Sequence, residues 1–223
     1  MVSVDAQQIK VDIHHLFWLS YVMSSLKTFL HDISGRLRMS PAALYERQRE
    51  LVRHGLLPVR EGRGPGSGVP LTPETVATFL IGLLATDSLT DLAERTAGLS
   101  AAKPVILGSQ PPASTRTFHS DLAAALIDEA NGRYMGVQVT RHWRGLLLLD
   151  RPMALDNEGF LEGVASVEYV VSEEARVEAP VLAHTVSLEA EYFWMVCHRL
   201  RGQLGLIKPP PPPPDKLVSG GGE

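Results

Sequence analysis

Between Ser40 and Gly68 the chain reads S-P-A-A-L-Y-E-R-Q-R-E-L-V-R-H-G-L-L-P-V-R-E-G-R-G-P-G-S-G, an order that few backbones accommodate. Serine followed by proline starts a helix, because the hydroxyl caps a free backbone N–H and proline at the first helical position gives up no hydrogen bond. The helix therefore begins at Pro41 and is stopped at His54-Gly55. Leu56, Leu57 and Val59 then make a short apolar run, and R-E-G-R-G-P-G-S-G-V is too rich in glycine for helix or regular strand.

Helical spacing sorts this segment into two faces. Leu44, Gln48, Leu51, Val52 and Gly55 fall on one side, while Tyr45, Arg49 and Arg53 recur every fourth residue on the other. One face packs inward; the other is aromatic and basic. Upstream, Leu16, Phe17, Leu19, Val22, Met23, Leu26, Phe29 and Leu30 have amphipathic helical spacing with a break near Ser24-Ser25. A helix over about Leu26 to Leu37, with Gly35 inside it, then precedes a turn at Arg38-Met39.

A helix, a turn, a basic helix, a G-L-L exit, a strand and a basic glycine loop together resemble a winged helix-turn-helix DNA-binding domain, over residues 12–75. The resemblance implies that residues 41–54 are the recognition helix, which enters the major groove in that family, and that residues 59–69 are the wing. Arg38, Ser40, Tyr45, Arg49, Arg53, Arg60 and Arg63 are the residues expected to contact DNA. This chain departs from the pattern in the wing, where one obvious strand precedes the loop and Pro70 follows soon after it.

Charge placement supports a polyanion partner. Residues 36–63 hold seven arginines and three glutamates, a local +4, so a chain of net charge −4 carries −8 elsewhere. A basic island in an acidic chain points to a localised site, and double-stranded DNA is the expected partner.

Beyond the loop, Thr72-Pro73 repeats the cap-then-proline device and opens a helix through Val76, Phe79, Leu80, Leu83 and Leu84. It is apolar almost all round, which suits a joint between domains or a dimer contact. Ser88 and Asp91 resemble a capping box ahead of Leu89, Leu92 and Ala93. Residues 98–116, with three prolines, read as a linker between a domain at 11–97 and one at 117–204.

In the second domain a helix at Phe118 to Ala130 precedes a hairpin of Tyr134–Thr140 and Leu146–Leu149 turning at His142 to Gly145. Strands at Val164–Val171 and Arg176–Thr185 follow, the latter at an edge because of Pro180, and a final helix covers Leu188–Leu204. Residues 205–223, rich in proline and glycine, read as a disordered or polyproline tail. The expected fold class is mixed: an α-helical winged helix-turn-helix N-terminal domain followed by an α+β domain.

Catalytic signatures are missing from the sequence. The glycine loop lacks the lysine of a phosphate-binding loop, no G-x-S-x-G elbow is present, and His14-His15 stand without further ligands at metal spacing. No enzyme activity, cofactor or metal is expected. A single cysteine, Cys197, excludes an internal disulfide and reads as a buried thiol in a cytoplasmic protein. The longest apolar run, Val76 to Ala85, is too short for a bilayer, so no membrane partner is expected.

These readings converge on a sequence-specific DNA-binding transcriptional regulator. A dimer is favoured, because one recognition helix contacts few base pairs. Residues 117–204 would then oligomerise, or sense an effector or protein partner. Two alternatives use the same helices: a viral or prophage-type DNA-packaging or structural nucleoprotein, and a winged helix that binds protein.

Overall fold

The computed structural model describes residues 25–62, 68–105, 115–128, 134–140, 144–149, 165–171 and 185–207. The helix expected ahead of Ser25, the loop at 63–67, His14-His15, the hairpin tip at His142, the segment 176–184 and the tail from Lys208 lie outside these residues.

Helix α1, Leu26–Ile33, starts where Ser25 accepts a hydrogen bond from the Thr28 N–H at 3.3 Å. Its apolar residues Leu26, Phe29, Leu30 and Ile33 follow the i, i+3, i+4, i+7 pattern and all are buried. The helix is shorter than the expected Leu26–Leu37. Past Ile33 the Ser34 hydroxyl donates to the His31 carbonyl, and Gly35 leads into turns through Arg38.

Helix α2, Pro41–Arg53, begins as its sequence implies, with Ser40 Oγ accepting from the Ala43 N–H at 3.2 Å. At the far end Gly55 adopts φ +72°, the left-handed conformation that closes a helix, and the Leu56 N–H reaches back to the Leu51 carbonyl at 2.9 Å. Leu44, Gln48 and Leu51 are buried against the core.

Helix α3, Pro73–Ala85, is the hub. Thr72 and Thr75 exchange side-chain and backbone hydrogen bonds in a capping box, and nearly every residue from Thr75 to Ala85 is buried. Such a helix needs partners on all sides. It has them in α2, in α4 (Leu92–Ala101), in α5 (Phe118–Ile127) and in two strands of the sheet, β2 (Tyr134–Thr140) and β5 (Thr185–Leu188). Ser88 does not cap α4 as expected. Its hydroxyl accepts from the Thr90 N–H in a tight turn, and Asp91 stands at the N-cap without a side-chain capping bond, its carboxylate paired with Arg95 instead.

At Gly82 the α3 backbone approaches α4 closely: a Cβ built there would lie 2.8 Å from Thr96 Oγ1 and 3.1 Å from Leu92 Cδ1. Both neighbours are fully buried, so they have little room to yield. Gly82→Val is therefore expected to cost about 3 kcal/mol by overpacking and to lower Tm by roughly 6–12 °C. Thermal unfolding followed by circular dichroism measures this, and an unchanged Tm would mean that α3 and α4 are not so closely apposed.

Among the described residues, five antiparallel strands form one sheet in the order β1-β4-β3-β2-β5. They are β1 Lys103–Val105, β2 Tyr134–Thr140, β3 Arg144–Leu149, β4 Ala165–Val170 and β5 Thr185–Leu188. The hairpin of β2 and β3 forms as expected except that β3 starts two residues early, at Arg144, so that Arg144 and Gly145, expected in the turn, pair with Thr140 and Val139. Pro104 stands in the edge strand β1, where its missing N–H breaks no central ladder. Helix α6, Ala190–Gln203, packs with α3 on β2, beside the buried Val137 and Val139. Mixed α and β structure is thus the fold class.

Residues 98–105 are not a connector. The last turn of α4 reaches Ala101 and β1 pairs with β4, so this stretch is tied into the sheet of the second half. The buried Asp121 carboxylate on α5 accepts from the Tyr169 hydroxyl of β4 and from Arg116 Nε at 3.0 Å, which fastens the end of the expected linker as well. Hydrophobic burial runs without a break from α1 to α6, and Gln203 Nε2 donates to Asp32 Oδ2 at 2.8 Å, joining the two helices directly. Burial also pushes the Cys197 thiol up to about 12, leaving it protonated and inert.

Candidate nucleic-acid interface

The outward surface of α1, α2 and the loop stem gathers most of the residues singled out by sequence. Tyr45, Arg49 and Arg53 are all exposed along α2. At 1.5 Å per residue they span roughly 12 Å of helix axis, a length matching three or four stacked base pairs. Tyr45 is held in place by Lys27 of α1, whose Nζ sits 4.6 Å from the ring centroid. A cation over an aromatic face at an exposed site contributes about 0.5–1 kcal/mol. Lys27 thereby joins this surface, although it drew no notice in the sequence.

Arg38 is exposed in the turn between the two helices with φ +52°, alone among the described non-glycine residues in having positive φ. A left-handed non-glycine residue costs on the order of 1 kcal/mol. Ser40 is exposed too, but its hydroxyl is occupied with the cap of α2. Its place on the surface is set by that structural duty.

Arg60 lies at the base of the glycine loop. Its N–H donates to the Gly68 carbonyl at 2.9 Å, and the Gly68 N–H donates to the Arg60 carbonyl at 3.1 Å, so the chain pairs with itself across the loop. The returning segment continues to Ser25, which bridges Pro70, while the Leu26 N–H donates to the Val69 carbonyl at 3.0 Å. A second side to the loop stem is therefore present, although Pro70 had argued against it. Arg63 lies outside the described residues.

Two features alter the charge of this surface. Arg47 is buried, and its guanidinium donates to the Thr86 carbonyl from Nη1 and to the Asp87 carbonyl from Nη2, both at 2.8 Å. It fastens α2 to the end of α3 and is not part of the surface. Helical spacing could have found this, because Arg47 lies three residues after Leu44 and four before Leu51.

The second feature is acidic. Glu46 pairs with Arg49 at 3.0 Å, and Glu50 pairs with Arg53 at 2.6 Å and with His54 Nε2 at 3.0 Å. Without Arg47 and Arg63, residues 36–62 hold five arginines and three glutamates, a surplus of two rather than four.

Other chemistry is sparse. Among the described residues no cluster of three His, Cys, Asp or Glu side chains could hold a metal ion, and no helix is long and apolar enough to cross a membrane. His119 Nε2 lies 3.0 Å from both Thr78 Oγ1 and the Glu74 carbonyl, bonding α5 to α3. Comparison with family models, curated proteins and solved structures gave no match.

Proposed function

We propose that this chain is a sequence-specific DNA-binding protein of the winged helix-turn-helix kind, acting as a transcriptional regulator and as a dimer. The observation that carries the reading is the loop stem. Its reciprocal Arg60–Gly68 bonds close a stem that follows α2 in the chain, and the Ser25–Pro70 bridge ties the returning segment to the start of α1, the order of parts that a wing has after a recognition helix. In this reading α2 lies in the major groove, Tyr45, Arg49 and Arg53 face base edges, and Lys27, Arg38 and Arg60 take phosphates. The strained backbone of Arg38 supports a role for its side chain, since glycine would relieve the strain.

The Glu46–Arg49 and Glu50–Arg53 pairs favour a second reading, a protein-binding winged helix, because they cancel the charge of the α2 face. Retention of the full chain on randomised DNA duplexes at increasing salt separates the two. For a DNA-binding protein, log affinity falls linearly with log salt, and Arg60→Ala reduces the slope by about one unit. Absence of salt-dependent retention would leave the protein-binding reading.

A further inference from the structure

On α2 every exposed arginine has a glutamate one turn before it. Arg49 Nη1 lies 3.0 Å from Glu46 Oε1 and 3.2 Å from Oε2, so both carboxylate oxygens are in reach of one guanidinium nitrogen. Arg53 Nη1 lies 2.6 Å from Glu50 Oε2, and the other oxygen of Glu50 meets His54. The two glutamates differ in access. Glu46 has a side chain 52% exposed, open to a partner, whereas Glu50 is 16% exposed.

Resting on the DNA-binding reading above, we propose that Glu46 and Glu50 determine specificity, making α2 a reader of G·C pairs. Three physical points converge. First, Glu46 and Glu50 cancel Arg49 and Arg53, so the face carries no net charge to attract phosphates indiscriminately. Affinity then comes from Lys27, Arg38 and Arg60, and α2 is left to discriminate.

Second, base chemistry matches the alternation of acid and base. An arginine fork donates to O6 and N7 of guanine, and a carboxylate accepts from the N4 amino group of cytosine. Adenine also offers an amino donor at N6, but neither adenine, with N7 alone, nor thymine, with O4 alone, presents the two-acceptor edge that an arginine fork takes on guanine. Glu46, half exposed beside Arg49, is placed to take the cytosine amino group while Arg49 takes guanine. Third, Glu50 is too covered to meet a base and is a positioning residue, holding Arg53 by one oxygen and His54 by the other.

Glu46→Gln and Glu50→Gln keep shape and remove charge. Surface pairs of this kind add little to stability, so both variants are expected to fold with near-unchanged Tm, checked first by circular dichroism. Binding of the full chain to alternating d(GC) and alternating d(AT) duplexes is then measured across salt.

Wild type is expected to prefer the d(GC) duplex. Glu46→Gln lowers that preference by about tenfold and strengthens binding to d(AT). It also steepens the salt slope by about 0.9 as Arg49 is released to a phosphate. Glu50→Gln steepens the slope and lowers preference less, and Glu50→Asp, which restores the charge, recovers the preference.

Salt-dependent binding by wild type with no d(GC) preference, or with a preference and slope that both Gln variants leave intact, would overturn this inference alone. No salt-dependent binding by wild type would overturn the DNA-binding reading with it.

Discussion

Arg47→Met is expected to destabilise the protein by about 3 kcal/mol, whereas Arg49→Met two positions on changes stability by less than about 0.5 kcal/mol. Both residues are arginines on α2, and what separates them is the direction they face. Arg47 is 7% exposed, and its guanidinium donates to the last carbonyls around the end of α3, Thr86 and Asp87. Hydrogen bonds from a charged group contribute about 1.5–3 kcal/mol each, and deletion also strips those carbonyls of a donor. Methionine keeps the apolar stem, so the loss reports the guanidinium.

Arg49 instead pairs with Glu46 in water on a half-exposed face. Urea unfolding of both variants at one pH measures the difference. Equal midpoints would mean that the α2–α3 joint does not depend on Arg47.

That contrast also shows what can be read from the chain alone. Ser40-Pro41 and Thr72-Pro73 announce α2 and α3 because capping is local chemistry, settled by a hydroxyl and the three residues after it. The hairpin of β2 and β3 is equally local, a pair of strands close together in sequence. Strand β1 falls in the expected linker because its three residues, one of them proline, have no period of their own. They are a strand only through β4, some sixty residues away.

Ser88 misled for a related reason: its hydroxyl had a closer backbone N–H, that of Thr90. On the candidate surface, spacing identified the outward residues Tyr45, Arg49 and Arg53, whereas the arginine count treated Arg47 as surface charge. Lys27 was missed because its place beside Tyr45 depends on how α1 packs on α2.

The largest effect on function is expected from Arg49→Ala. An arginine fork on a guanine discriminates against the wrong base by about 1–3 kcal/mol, so its loss should reduce the ratio of preferred-site to random-site affinity by roughly tenfold or more. Removing Arg49 also uncovers Glu46, which would repel phosphates and weaken binding everywhere. The double variant Arg49→Ala/Glu46→Ala removes that complication, since neither charge remains. Loss of preference in the double variant beyond that of Glu46→Gln alone then belongs to the missing fork. Arg60, at the base of the loop stem, is the opposite case under the proposed reading: it would contact backbone rather than bases, and its loss is expected to lower affinity for all sequences alike.

The most direct measurement is therefore a selection of preferred duplexes from a randomised library by the full chain, followed by affinity for the selected and random duplexes in wild type, the double variant and Arg60→Ala. The account predicts salt-dependent binding by wild type, a ratio that collapses in the double variant, and a ratio unchanged in Arg60→Ala despite weaker binding. A double variant that keeps the ratio while losing affinity for every duplex alike would contradict it, because α2 would then be a charged surface and not a reader of sequence.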